Sequence, residues 1–188
     1  MRSKESSLPV RVVFETHCRS VDNERGIATG WKDGRLSEEG RADALRLGER
    51  RRQDGISAVF SSDLGRAVET VNVAFAGSNI PIYFDSRLRE CNYGDWNGLP
   101  VAKIASNRSM YINQTYPSGQ SYADVVKGVA AFLRDLGTKW CGHRVLIVGH
   151  TATKWALDYL LNGVNLEGLV DTQFEWREGW EYLIPAGW

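Results

Sequence analysis

The sequence predicts an α/β protein of three layers, with helices on both faces of a mostly parallel central sheet. Three observations predict it. Short β-branched runs alternate with stretches of helical periodicity, the pattern of βα units feeding one sheet. At 188 residues the chain is long enough for one packed α/β domain and short for two. No repeat, low-complexity segment or linker divides it, so residues 1–188 read as a single domain.

The elements follow in order. "VRVVF", Val10 to Phe14, reads as the first strand, and a long polar loop follows it. Ser37 is placed to cap a helix beginning near Glu38, with Ala42, Leu45 and Gly48 at one-face spacing. "SAVFSS", Ser57 to Ser62, reads as the second strand, running into "DLGRAVETVNVAFA" with Ala67, Val71 and Ala74 or Phe75 on one helix face. "IPIYF", Ile80 to Phe84, is a third strand whose Pro81 marks a strand start or a sheet edge. A loop-rich stretch runs from Asp85 to Gly119. "SYADVVKGVAAFLRDLG" is a helix expected to end at Gly137. "RVLIVGH" supplies the fourth strand, and "ATKWALDYLLNG" its helix, stopped by Gly163. The tail "QFEWREGWEYLI" alternates apolar and polar residues, as an antiparallel hairpin or edge element would.

Composition narrows the function. Lys plus Arg and Asp plus Glu both number 23, a zero net charge that argues against a general nucleic-acid or membrane-surface binder. No run approaches the roughly 20 apolar residues that span a bilayer, and the first residues lack a signal-peptide core. Cys18, Cys91 and Cys141 are odd in number and without paired spacing, which fits a reducing compartment and gives no zinc site. The expectation is a cytoplasmic protein without a metal or cofactor. Seven tryptophans are the one unusual entry in the composition; scattered along the chain, they read mostly as core or interface filler. With an edge element near the tail they would permit a homodimer.

Ligands of open α/β sheets bind beyond the carboxyl ends of the strands. Here those ends carry Thr16, His17, Cys18 and Arg19; Ser61, Ser62 and Asp63 with Arg66 just inside the next helix; Arg87, Arg89 and Glu90; and His150 with Thr151. Two histidines, a carboxylate and several arginines on one rim suit a small anionic metabolite. Arginine forks match phosphate or carboxylate oxygens, a neutral imidazole can attack, and a carboxylic acid can protonate a leaving oxygen. Each residue also has a plain structural use: a strand-end histidine as a hydrogen-bonder, an arginine as a solvated helix residue, a glutamate as a surface ion pair. His143, beside Cys141, reads as a loop residue, and Cys18 as a buried spectator.

"GWKDGRLSEEGRADA", "SSDLGRAVET", "RLRECNYGDWNG" and "VLIVGH", in that order after Thr16-His17-Cys18-Arg19 with Asn23 downstream, resemble the histidine phosphatase superfamily in its phosphoglycerate mutase-like branch. The match spans roughly Val10 to Gly163. The resemblance implies a phosphoglycerate mutase-like fold and a metal-independent phosphatase. His17 would form a transient phosphohistidine, Arg66 and His150 would hold phosphoryl oxygens, and Glu90 would be the proton donor. Thr16, Arg19, Asn23 and Thr151 fall at substrate-binding positions. Two positions depart from the family's Arg-His-Gly. Thr16 stands in place of the first arginine, and Cys18 in place of the glycine whose bareness lets the backbone approach phosphate. Arg19 could return the lost charge by swinging inward.

Three functions stay open at this level. The first is a phosphomonoesterase acting on a small phosphorylated metabolite, with hydrolysis favoured over mutase activity because the cation supply is reduced. The second is an enzyme of specialised metabolism that reuses His17, Glu90 and His150 for isomerisation, cyclisation, elimination or hydrolysis of a carboxylate or sugar-like substrate. The third is a binding module without catalysis.

Overall fold

The apolar run at Val10 builds β1 (Val10–Thr16), which is followed by α1 (Val21–Glu24), β2 (Ile27–Ala28), α2 (Glu38–Arg51), β3 (Ala58–Ser61), α3 (Gly65–Ala74) and β4 (Ile82–Phe84). Then come β5 (Leu99–Pro100), α4 (Val101–Ala105), α5 (Tyr122–Lys139), β6 (Arg144–Gly149), α6 (Thr151–Asn162), α7 (Leu166–Asp171) and β7 (Trp180–Ile184). This is a computed structural model that describes residues 8–188; residues 1–7, where the polar opening of the chain was read, lie outside the described residues.

The central sheet has the order β4-β3-β6-β1-β7. All its pairings are parallel except the last, where β7 runs antiparallel along β1. A separate two-stranded ribbon joins β2 to β5. Alternation along the strands sorts side chains into two cores. Val12, Phe14, Val145 and Ile147 face Val129, Leu133 and Ala156 of α5 and α6. Val13, Val59, Leu146 and Val148 face Ala44, Leu47 and Val71 of α2 and α3. The three-layer expectation therefore holds, sheet and both helical faces included.

Details differ from the sequence reading, each for a physical reason. α2 does not bury the face carrying Ala42 and Leu45; it buries Gly40, Ala44, Leu47 and Gly48, and Leu45 is exposed. The two glycines decide this. A Cβ at Gly40 would lie 1.8 Å from the Arg19 carbonyl oxygen, and one at Gly48 would lie 2.1 Å from that of Ala74. The helix is thus pressed onto backbone along its barest stripe. α5 runs past Gly137 to Lys139, because Gly137 keeps helical geometry and packs toward Ile184 rather than turning left-handed. Gly163 does turn, with φ of 67°, and stops α6. β1 extends beyond Phe14 to Thr16, and β4 begins only after Pro81, on the sheet edge. The polar and loop-rich stretches contain α1, the β2–β5 ribbon, α4 and 3-10 turns at Ser86–Leu88, Gly94–Trp96 and Arg108–Tyr111. Of the two readings of the tail, the edge element holds and the hairpin does not: Trp180–Ile184 is a single strand that pairs antiparallel with β1 at the sheet edge.

One polar residue sits where the pattern asks for an apolar one. Glu15 on β1 is 1% exposed and accepts from Arg51 Nε at 2.8 Å and Arg50 Nη2 at 3.3 Å. Arg51 also donates to the Glu178 carbonyl at 3.1 Å, tying α2 to the segment before β7. Removing the carboxylate strands two partly buried guanidinium groups. Glu15→Ala is expected to cost about 3 kcal/mol, read as a lower urea midpoint at unchanged slope; a midpoint at the wild-type position would remove Glu15 from the supports of the fold.

Candidate active site

Parallel pairing draws the carboxyl ends of β1, β3 and β6 together. The His17 amide donates to the Gly149 carbonyl at 2.9 Å, and the Ser62 amide to that of Val148 at 3.0 Å. His17 and His150 therefore leave neighbouring strands side by side, their ring centroids 5.0 Å apart. Arg66, from the first turn of α3, is 3% exposed and lies against both rings. Its Nε donates to His17 Nε2 at 3.2 Å, and its Nη2 lies 3.2 Å from His150 Nδ1 and 3.0 Å from the Gly30 carbonyl. Nη1 of the same guanidinium is buried without a partner.

These contacts fix the imidazole tautomers. Since an arginine only donates, His17 Nε2 and His150 Nδ1 are acceptors. The proton of His17 is on Nδ1, which donates to the Cys18 carbonyl at 2.7 Å, and His150 Nε2–H donates to Ser62 Oγ at 2.9 Å. Burial, reinforced by the Arg66 charge, lowers the His17 pKa to about 3, against the opposing pull of the Cys18 carbonyl. The same two causes, with His17 adding a little, hold His150 well below its usual range. Both rings are uncharged at neutral pH, and His17 carries its lone pair on Nε2.

Cys18 is buried, and its backbone is not among the positive-φ residues, so the conformation there needs no glycine. Its amide donates to Thr70 Oγ1 at 3.0 Å, and Thr70 in turn donates to the Arg66 carbonyl at 2.8 Å. Burial, then the Asp43 charge, pushes its thiol up to about 12. That is a spectator's thiol, as the sequence suggested.

Glu90 follows the 3-10 turn at Ser86–Leu88. That turn is fastened to α6 by Thr153 Oγ1, which donates to the Leu88 carbonyl at 3.0 Å. Trp31 Nε1 donates to the Glu90 carbonyl at 2.6 Å, with the Arg89 guanidinium 4.5 Å from the Trp31 ring centroid and forked onto Asp63 at 2.6 Å. Burial raises the Glu90 carboxyl pKa, partly offset by the Cys91 amide and by the Arg66 and Arg108 charges. A carboxyl with a raised pKa within reach of the Arg66 charge is equipped to give up a proton in a reaction.

Of the residues expected at the site, His17, Arg66 and His150 form one bonded cluster, and Glu90 lies within the reach of the Arg66 charge. Thr16, Arg19, Asn23 and Thr151 line a cavity that begins at His17. Arg19 is exposed at that cavity and makes no hydrogen bond with either histidine. Asn23 Oδ1 caps α1 by accepting from the Ser20 amide at 3.0 Å. Thr151 opens α6, whose N-terminus adds a partial positive charge. Sequence reasoning assigned no role to Ser62, Thr70, Gly30 or Arg108. Thr70 was the most accessible of these, four residues beyond Arg66 on the same helix. Arg108 lies 5.1 Å from the Trp155 ring centroid with a buried, unpartnered Nε.

A family model described as "Histidine phosphatase superfamily (branch 1)" matches residues 12–176. Phosphoserine phosphatase 1 of Hydrogenobacter thermophilus is 25% identical over 165 residues, covering 84% of this chain and 78% of that protein. The 2,3-bisphosphoglycerate-dependent phosphoglycerate mutase of Staphylococcus haemolyticus is 30% identical over 146 residues, which are 72% of this chain and 63% of the mutase. Among solved structures, Bacillus stearothermophilus YhfR superposes with a TM-score of 0.79 at 29% identity, covering 90% of this chain and 88% of that one. No helix among the described residues is long and apolar enough to cross a membrane.

Neutral buried imidazoles have a consequence for stability. In the unfolded chain each takes up a proton near its ordinary value of about 6.5, whereas folded His17 resists to about 3. Between those values the unfolded chain binds more protons, so stability is lost as pH falls through that window. His17→Gln removes one of the two contributions. The expected outcome is a shallower decline of the urea midpoint between pH 6.5 and about 4; an unchanged decline would contradict a neutral His17.

Proposed function

The chain belongs to the histidine phosphatase superfamily, branch 1, and from that premise we propose that it is a metal-independent phosphatase working through a phosphohistidine on His17. The observation that carries the reading is Arg66. Its buried guanidinium spans His17 Nε2 and His150 Nδ1 and keeps a third donor unused. A phosphoryl oxygen entering there takes the donor on Nε, satisfies Nη1 and frees the His17 lone pair in the same movement.

His17 Nε2 then attacks phosphorus, held in orientation by the bond from Nδ1 to the Cys18 carbonyl. Arg66 and the α6 N-terminus at Thr151 receive the charge on the phosphoryl oxygens, the main service a protein renders such a transfer, and His150 joins them once its Nε2–H leaves Ser62 Oγ. Glu90, whose carboxyl pKa is raised by burial, gives a proton to the departing oxygen. As a carboxylate it next draws a proton from water, which attacks phosphorus and releases His17. On the motif alignment Thr16 takes the place of an arginine, so the site works with a smaller positive charge. A small anionic metabolite is the fitting substrate class, and hydrolysis fits better than group retention, for a mutase must hold its phosphorylated intermediate through reorientation.

Mass spectrometry of the full chain after brief incubation with small phosphate esters is expected to find an acid-labile phosphate on His17. His17→Ala should remove both adduct and turnover. Glu90→Gln should lower kcat by about 10²–10⁴, and Arg66→Ala by about 10²–10³. Product formation that depends on Glu90 but leaves no adduct would instead place the chain with acid–base enzymes of other chemistry.

A further inference from the structure

A cavity of about 360 Å³ opens beside His17 and runs outward between α2 and the segment that precedes β7. Thr16, His17, Cys18 and Thr151 line it near the nucleophile; Phe174 and Trp176 line it further out. A volume of this size is at the lower end of those that hold ring-bearing small molecules. Trp176 is 58% exposed and has no aromatic or cationic neighbour of its own among the described residues, so its indole face is free to stack. The charges along α2 are already matched, Arg46 by Asp43 and Arg50 by Glu15. The cavity thus has small side chains next to the nucleophile, polar and charged ones such as Arg19 and Asn23 on its walls, and a flat aromatic side at Trp176.

The charge at the nucleophile points the same way. Among the described residues Arg66 is the cation hydrogen-bonded to His17 and His150, and both rings are acceptors toward it. Arg19 also lines the cavity but is exposed and bonds neither ring, so one positive charge is fixed at the nucleophile, which matches a phosphoryl group with one negative charge. A phosphate monoester near neutral pH carries about −1.5 to −2; a diester carries one. The diester also differs in shape. One terminal oxygen of the monoester is replaced by an oxygen bearing carbon, which asks for room and apolar contact instead of another donor. The small side chains of Thr16 and Cys18, with the open volume beyond them, supply room there.

We propose that this site accepts phosphodiesters, and that the ester group remaining on phosphorus lies in the cavity against Trp176; the proposal rests on the phosphohistidine reading above. His17 Nε2 forms a bond to phosphorus as the bond to the leaving oxygen breaks, and the Glu90 proton passes to that oxygen. The intermediate is a phosphohistidine that still bears its second ester. Water then adds to phosphorus, losing a proton to Glu90, and the P–N bond breaks with its electron pair returning to Nε2. The products are one alcohol and one phosphate monoester.

The test compares bis(4-nitrophenyl) phosphate with 4-nitrophenyl phosphate on the full chain, since both release the same phenol. The expected kcat/KM for the diester exceeds that for the monoester by about tenfold or more, and the His17 adduct retains one nitrophenyl ester by mass. Trp176→Ala is expected to raise KM for the diester about fivefold with little change in kcat, and Thr16→Arg to reverse the preference. A monoester preference with a plain phosphohistidine overturns the diester proposal and leaves the phosphatase reading standing. A diester preference that Trp176→Ala does not touch overturns the placement of the ester group in the cavity. No adduct and no product from either compound overturns both the proposal and the reading beneath it.

Discussion

A guanidinium taken out of water must find acceptors for its donors or an anion for its charge, and Arg66 is supplied with only part of what it needs. Two imidazole nitrogens and the Gly30 carbonyl occupy some of its N–H groups, while Nη1 goes without. Much else in the site follows from this one shortfall. The cation reinforces the burial that keeps both rings neutral, its acceptors dictate which nitrogen of each ring is bare, and its field offsets part of the burial that raises Glu90. Fold and chemistry meet at this residue because α3 starts where β3 ends. That start lies beside β6, whose end carries His150, and β6 lies beside β1, whose end carries His17.

Much of this was legible in the chain. Strand ends can be located from β-branched runs, and parallel order places their polar residues on one rim, so His17, Arg66 and His150 could be grouped before any coordinates. The Gly163 stop and the Ala67–Val71–Ala74 face were equally plain, being decided within one element. The face of α2 was not. Hydrophobic spacing ranks Leu45 above Gly40, but close approach of a helix to a foreign backbone rewards the missing side chain, and the backbone in question lies far off in sequence. Gly137 misled for the complementary reason: glycine permits a left-handed stop without requiring one, and the helix had more to gain by continuing to Lys139.

Glu15 was unreadable for a deeper reason. A carboxylate inside a strand breaks the apolar pattern, and only the tertiary structure reveals the two arginines from α2 that answer it. The same arginines reach the Glu178 backbone and side chain, so the residue before Thr16 and His17 is tied to the segment that walls the cavity. Trp176 could be counted in the sequence as an extra tryptophan, but its position beside the nucleophile depends on this long-range tether and on β7 joining the sheet next to β1.

The bond from the His17 ring to the Cys18 carbonyl separates the nucleophile's aim from the identity of its neighbour. Every amino acid brings that same oxygen, so the nucleophile's orientation is inherited from the main chain and owes nothing to the side chain that follows it. What position 18 asks of its side chain is therefore fit among buried neighbours, while the aim of the ring beside it is set by the main chain.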